Sequence, residues 1–226
     1  MEKKHFAEAI QALSDSPKRN FNQTIEFIIN LKGLDLKKPE QHVEFFMKLP
    51  HPKGKPVKVA ALVGPELAEQ AKEACDGVVT QDEFSTYNTK SAIKKLAAEY
   101  DYFIAQANIM PDVAKHFGRV FGPRGKMPNP KAGCVVPPNA NLQQVTADLK
   151  QTIRVKAKEQ PSIKVPVGTQ SMDAEHVADN MQAIYTNVVS KLPQEVFNVK
   201  NVLAKLTMGP PIKITDKGIE KKGAEQ

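Results

Sequence analysis

The chain has 226 residues, 41% of them hydrophobic and 25% charged, with a formal net charge of +7. That length suits one large domain or two small ones, and no apolar run approaches a bilayer span, since the longest, Val57 to Val63, is broken by Lys58. Two distant cysteines, Cys75 and Cys134, argue against a disulfide framework or zinc site and for a reducing, cytoplasmic setting, while the basic balance calls for an anionic partner without naming it.

The N-terminal stretch is not a secretory signal, because Phe6, Ala9, Ile10 and Leu13 recur at helical spacing and Glu8 interrupts them. The pattern predicts a helix over 1–16, closed by Pro17. "FNQTIEFIINLKG" (21–33) alternates as a half-buried strand, with Thr24, Glu26 and Ile28 on one face and Ile25, Phe27 and Ile29 on the other. "PEQHVEFFMKLP" (39–50) reads as a helical or turn-rich connection, and the prolines of "LPHPKGKP" (49–56) mark a junction.

From there the chain alternates strand and helix. "PVKVAALVG" (56–64) is a buried strand, and Pro65 opens the helix that follows it. "GVVT" (77–80) and a helix near 89–99 come next, then "YDYFIAQA" (100–107) and the helical "MPDVAKHFGRVF". Beyond a basic loop, "GCVVP" (133–137) is a fourth strand, and Asn139 or Asn141 caps a helix through Leu149. Such alternation predicts a parallel sheet with helices on both faces, a Rossmann-like unit over 57–152.

After residue 152, "IRVKAK" and "SIKVPVG" read as strands, 173–193 as an amphipathic helix capped by Asp173, and "NVKNVLAKLTM" as a last strand. The tail "DKGIEKKGAEQ" is polar and expected to be disordered. The expected fold class is therefore two-domain α/β. An α+β domain of split β-α-β type, built from residues 1–56 and 153–226, receives the Rossmann-like domain as an insert, and two chain crossings would form a hinge.

Charge supports the division. Residues 1–56 carry 10 Lys and Arg against 7 acids and residues 153–226 carry 11 against 8, whereas 57–152 carries 11 against 10. No acid lies between Asp112 and Asp148, a window that holds Lys115, Arg119, Arg124, Lys126 and Lys131.

Enzyme motifs are missing. The five histidines show no metal-ligand spacing, there is no G-x-S-x-G, and the acids Asp173, Glu175 and Asp179 suit the start of a solvated helix. No metal or cofactor is expected. A nucleotide-dependent enzyme using the middle domain is the rival reading. It is weakened by a first turn, "LVGPEL", with one glycine and a proline in place of an N–H. In "GRVFGPRGKMPNPKAG", Val120 and Met127 stand where a P-loop needs glycine and a hydroxyl. The stretch also fits the G-x-x-G of single-strand clamps, or a rigid loop with solvated cations, and the residues alone leave these open. "Leu206-Thr207-Met208-Gly209-Pro210" offers a hydroxyl, a soft thioether and a bare backbone that can read RNA without charge, or equally a strand end broken by Gly-Pro.

Taken in order, "FNQTIEFIINLKG", "LPHPKGK", "GRVFGPRGKMPNPKAG", "IKVPVG" and "KLTMGP" resemble the large-subunit ribosomal protein one family, the proteins of the lateral stalk. "FIAQANIMP" and the short form look like its archaeal branch. The resemblance covers nearly the whole chain. It implies a structural, non-enzymatic constituent of the large ribosomal subunit in the cytoplasm. Its end-built domain would bind the stalk of large-subunit rRNA and a mimic of that site in its own mRNA, and its movement would accompany release of exit-site tRNA. Carried over by position, the RNA face implied comprises Phe21, Thr24, Glu26, Lys37, Lys38, His51, Lys164, Gly168, Ser171, Thr207, Met208, Gly209 and Pro210. Lys164 stands where bacterial members commonly have His. Arg119, Arg124, Lys126 and Lys131 would form a secondary basic contact, and the tail after Ile214 matches no motif.

Overall fold

Phe6, Ala9, Ile10 and Leu13 do line one side of a helix, α1 (Lys3–Ser14), and all four are buried. The computed structural model describes residues 1–15 and 19–221, apart from the side chains of Pro39 and Lys221. The expected stop at Pro17 and the last five residues of the tail lie outside the described residues. Strand β1 (Thr24–Leu31) follows, then β2 (Val43–Lys48). The latter corrects the helical or turn-rich reading of 39–50. A short 3-10 turn, Pro39–Gln41, leads into an extended run whose Phe45, Phe46 and Met47 are only partly covered, an alternation too weak to read as a strand.

Next come β3 (Val59–Val63), α2 (Ala68–Ala74) after a 3-10 turn at Pro65–Leu67, and β4 (Gly77–Thr80). They are followed by α3 (Lys90–Glu99), β5 (Tyr102–Gln106), α4 (Met110–Arg124), β6 (Val135–Val136) and α5 (Leu142–Gln151). The last elements are β7 (Thr152–Ala157), β8 (Ser162–Thr169), α6 (Ala174–Lys191), β9 (Val199–Leu206), β10 (Ile212–Thr215) and β11 (Gly218–Lys221). The tail is thus structured as far as Lys221, because β11 pairs with β10 around the left-handed Gly218 (φ +121°). Its backbone hydrogen bonds outweigh its polar composition.

By backbone contacts the chain divides into residues 1–55 with 153–226, and residues 56–152. In the first unit the sheet order is β11-β10-β9-β1-β8, with β1 antiparallel to both neighbours. β8 and β9, joined through α6, are therefore parallel strands held apart by β1, which is the split β-α-β arrangement. Ile25, Phe27 and Ile29 pack with Val165, Val167, Val202 and Ala204 against α1 and α6, where Phe6 meets Phe27 edge-on at 5.7 Å. β2 and β7 form a separate two-stranded sheet.

In the second unit β4-β3-β5-β6 is a parallel sheet. β3 is buried at all five positions, as a strand covered on both faces must be. Ala60, Leu62 and Phe103 pack with α3 and α4, while Val59, Ala61, Val63 and Ile104 pack with α2 and α5.

The helix expected over 110–121 runs further into the basic stretch, since α4 continues through Gly122 to Arg124 and tolerates Pro123 in its last turn. Gly125 ends it in the left-handed conformation (φ +64°), and the N–H of Lys126 donates to Phe121 O at 3.0 Å. After Gly125 the stretch is loop up to a 3-10 turn at Pro130–Ala132.

Candidate nucleic-acid interface

Because side chains alternate along a strand, burying Ile25, Phe27 and Ile29 sends Thr24, Glu26, Ile28 and Asn30 to the other face of the sheet. The core helices α1 and α6 pack on the first of these faces and leave the second to polar groups. Register places Glu26 opposite Pro166 and Lys205, and Ile28 opposite Lys164 and Leu203. Lys205 Nζ lies 3.9 Å from the Glu26 carboxylate, and Asn30 donates to Asn201 at 2.7 Å. The result is a mixed face of hydroxyl, amide, carboxylate and ammonium groups around the buried Ile28 and the partly covered Leu203.

One end of this face is tightly organised. The Thr207 N–H and hydroxyl both donate to Thr24 O, at 3.1 and 3.2 Å. The Met208 N–H donates to Gln23 Oε1 at 3.2 Å, and the Gly209 N–H to Leu206 O at 3.0 Å. Across β1, the Gln170 N–H donates to Gln23 O at 2.9 Å, and Asn22 Nδ2 donates to Ser171 Oγ at 2.8 Å. The 169–172 turn is pressed from the other side by Gly54 (φ +73°), where a Cβ would fall 2.5 Å from Thr169 Oγ1 and 2.6 Å from Met172 Sδ. Within this frame Phe21 and Met208 remain exposed, at 53% and 62%. Phe21 lines a shallow cleft with Ser14, Arg19, Asn20, Asn22, Gln170 and Ser171.

The structure therefore brings together Phe21, Thr24, Ser171, Thr207, Met208 and Gly209, with Pro210 next in chain, and aligns Glu26 and Lys164 on the same face. Others sit apart. Lys37 and Lys38 are exposed on the loop after β1, at the opposite end of that strand, where the Lys37 N–H donates to Asp35 Oδ1 at 3.1 Å. Gly168 is buried, and a Cβ there would meet Val177 Cγ2 at 2.8 Å, so the position serves the packing of α6 on β8. His51 lies against α6. Its backbone exchanges hydrogen bonds with the amide of Asn180, its ring stacks on His176 at 4.0 Å, and its Nε2 is 3.3 Å from Asp179 Oδ2. Lys3 also reaches that carboxylate, at 2.6 Å, and the pair of donors, Lys3 foremost, holds the Asp179 carboxyl below its ordinary range.

Asn22 and Gln23 lie inside the motif at 21–33, but nothing local singles them out as anchors, and the same holds for Gln170 and Asn180. Gln23 and Asn180 are polar yet buried, at 2% and 0%, and only their partners, remote in the chain, account for that.

The secondary basic group divides. Arg119 and Lys131 are exposed. Arg124 Nη1 donates to Lys94 O at 3.1 Å, and Lys126 Nζ donates to Tyr100 O, so both tie the end of α4 to α3. Burial pushes the Lys126 ammonium below its usual pKa.

The place where a nucleotide would sit in a parallel sheet is the crevice beyond β3 and β5, where strand order reverses. There Gln106, 1% exposed, fills the space: its Oε1 accepts from the Gly64 N–H at 2.9 Å and its Nε2 donates to Glu66 at 3.3 Å. Pro65 has no N–H to offer. The amide that would hold a phosphate is already used, and an acid stands beside it.

These features define a two-unit α/β protein with one polar sheet face turned away from its core helices and a blocked nucleotide crevice. The profile of the ribosomal protein L1p/L10e family matches residues 11–210, and the chain belongs to that family. It is 41% identical over 216 residues to the large ribosomal subunit protein uL1 of Methanothermococcus thermolithotrophicus, covering 95% of this chain and 99% of the relative. The uL1 protein of Methanocaldococcus jannaschii is 35% identical, covering 98% and 100%, and that of Nanoarchaeum equitans 39%, covering 91% and 97%. A member of this family is a structural ribosomal protein and not an enzyme, which sets aside the nucleotide-dependent reading. Among the described residues no helix is long and apolar enough to cross a membrane.

Proposed function

We propose that this protein, as a constituent of the large ribosomal subunit in the cytoplasm, binds the stalk of large-subunit rRNA through the unit built from both chain ends. The observation that carries this reading is the Thr207–Gly209 turn, locked to Thr24 and Gln23 at the edge of the polar sheet face with Phe21 and Met208 exposed beside it. A preformed surface of hydroxyls, backbone and soft apolar groups reads RNA by shape and 2′-hydroxyl contact, for which dense positive charge is not required. Glu26 accepts hydrogen bonds from 2′-hydroxyls or base edges in this scheme, and Lys164 supplies a phosphate contact. Lys37, Lys38 and His51 extend the footprint, Gly168 supports it from beneath, and Arg119 and Lys131 of the inserted unit add secondary contacts. A segment of the protein's own mRNA that copies the stalk would occupy the same surface and repress translation. Exit-site tRNA would be a partner of the assembled stalk, in which the protein assists release of deacylated tRNA.

The test is a salt titration of binding to a stalk rRNA fragment beside a scrambled RNA of equal length. Tight binding to the stalk fragment with a shallow salt slope supports the reading. Equal binding to both, collapsing steeply with salt, reduces the protein to a basic surface attracted to phosphate and overturns it.

A further inference from the structure

The near-neutral total of the parallel-sheet unit hides two opposite faces. Its α3/α4 layer, residues 81–99 and 107–126, carries seven lysines and arginines against four acids; its α2/α5 layer, residues 65–76 and 139–151, carries two against five. One layer is +3 and the other −3. The packing explains the separation, because α3 and α4 share one core cluster on one side of the sheet and α2 and α5 share another on the reverse.

On the cationic layer, Arg124 and Lys126 are directed to carbonyls of α3 and its C-terminal cap. Two of the four acids are also engaged, Glu83 by the Thr80 N–H at 3.0 Å and Asp112 by Gln81 Nε2 at 2.8 Å. Lys90, Lys94 and Lys95 of α3 and Lys115 and Arg119 of α4 are all exposed. Lys90 with Lys94, and Lys115 with Arg119, are like-charge pairs at i, i+4. Such pairs destabilise an isolated helix slightly. A polyanion laid across both helices turns that repulsion into attraction.

We infer that the outer face of α3 and α4 is a second RNA-docking surface, one that grips phosphate backbone without reading sequence. This rests on the reading that the protein works bound to RNA. The occupant is a nucleic acid and not an acidic protein because, among the described residues, no large apolar side chain of this face is fully exposed, and Tyr87, Tyr100 and Met110 are partly packed into the core beneath it. The exposed large hydrophobic side chains of the described residues, Phe21, Val196, Phe197 and Met208, all belong to the other unit. Stable protein interfaces centre on buried aromatic or aliphatic anchors, whereas phosphate contacts need only spaced cations.

The experiment uses the full chain with Lys94→Glu, Lys95→Glu and Lys115→Glu combined, and Lys72→Glu on the opposite layer as control. Both variants are first checked for an unchanged thermal midpoint, which exposed positions allow. Each is titrated with deproteinised large-subunit rRNA, with scrambled RNA and with an acidic protein across salt concentration. The expected result is a weakening of about tenfold or more near ~150 mM salt and a log–log salt slope shallower by roughly 2, on both RNAs, with Lys72→Glu behaving as the parent. Parent-like affinity and slope in the triple variant overturn the inference, as does an equal loss in the control or a loss confined to the acidic protein. Failure of the stalk reading shows separately, in a parent that does not discriminate stalk from scrambled RNA, since the backbone contact proposed here is read on either. A parent that binds neither RNA overturns both.

Discussion

The backbone N–H of Met208 donates at 3.2 Å to Oε1 of Gln23, a residue that precedes it by 185 positions. Because Gln23 is 2% exposed and its own carbonyl accepts from the Gln170 N–H, this one residue joins the ends of β1, β8 and β9. Gln23→Leu removes the side-chain acceptor and leaves the Met208 N–H without it. The expected loss is about 1–3 kcal/mol of folding stability, together with weaker stalk RNA binding; urea unfolding and titration check the two effects.

Thr207→Ala deletes a hydroxyl that donates to Thr24 O and leaves the backbone bond intact. We expect stalk affinity to fall by about 1–3 kcal/mol, with Thr207→Ser retaining most of it. An alanine variant that binds the stalk fragment like the parent would remove this residue from the interface.

Gly168→Ala places a methyl 2.8 Å from Val177 Cγ2. Overpacking of this kind costs about 1–3 kcal/mol. Adding Val177→Ala should recover part of the loss, because it opens the space the methyl needs, and a thermal melt of both variants decides it.

Lys126→Met loses the bond to Tyr100 O while keeping much of the stem. The inserted unit should be destabilised by about 1 kcal/mol, and the salt slope of RNA binding should stay as in the parent. A shallower slope with unchanged stability would instead make Lys126 a phosphate contact.

The Asp179 carboxyl is held below its ordinary range, first by the Lys3 hydrogen bond and then by His51. A depressed folded-state pKa gives stabilisation that is complete above the unfolded carboxylate value and is lost as pH falls through the lowered folded value, hence below about pH 4. The gap in thermal midpoint between the parent and Asp179→Asn should therefore be present at neutral pH and close in acid.

Much of the fold was legible from short-range pattern. The period of Phe6, Ala9, Ile10 and Leu13, the alternation of 24–29 and the apolar run of β3 each report burial within one element, and burial of one face is what those periods record. β2 was not legible, because its side chains are only partly covered and its partner, β7, lies across the whole inserted unit. The end of α4 was hidden by Gly122 and Pro123, residues that usually stop helices. What sustains the helix there is its buried side, through Val120 and Phe121, and the left-handed Gly125 that closes it.

Local order along the chain specified most of the elements, the two kinds of sheet and the family motifs, since these depend on residues close together. Which candidates meet was settled by packing in three dimensions. Packing set Thr207 against Thr24 and Met208 against Gln23, turned Gly168 inward, sent Lys37 and Lys38 to the far end of β1, and engaged Arg124 and Lys126 with α3. Strand register and helix packing join residues more than a hundred positions apart, as Gln23 and Met208 are, and no local period carries that information.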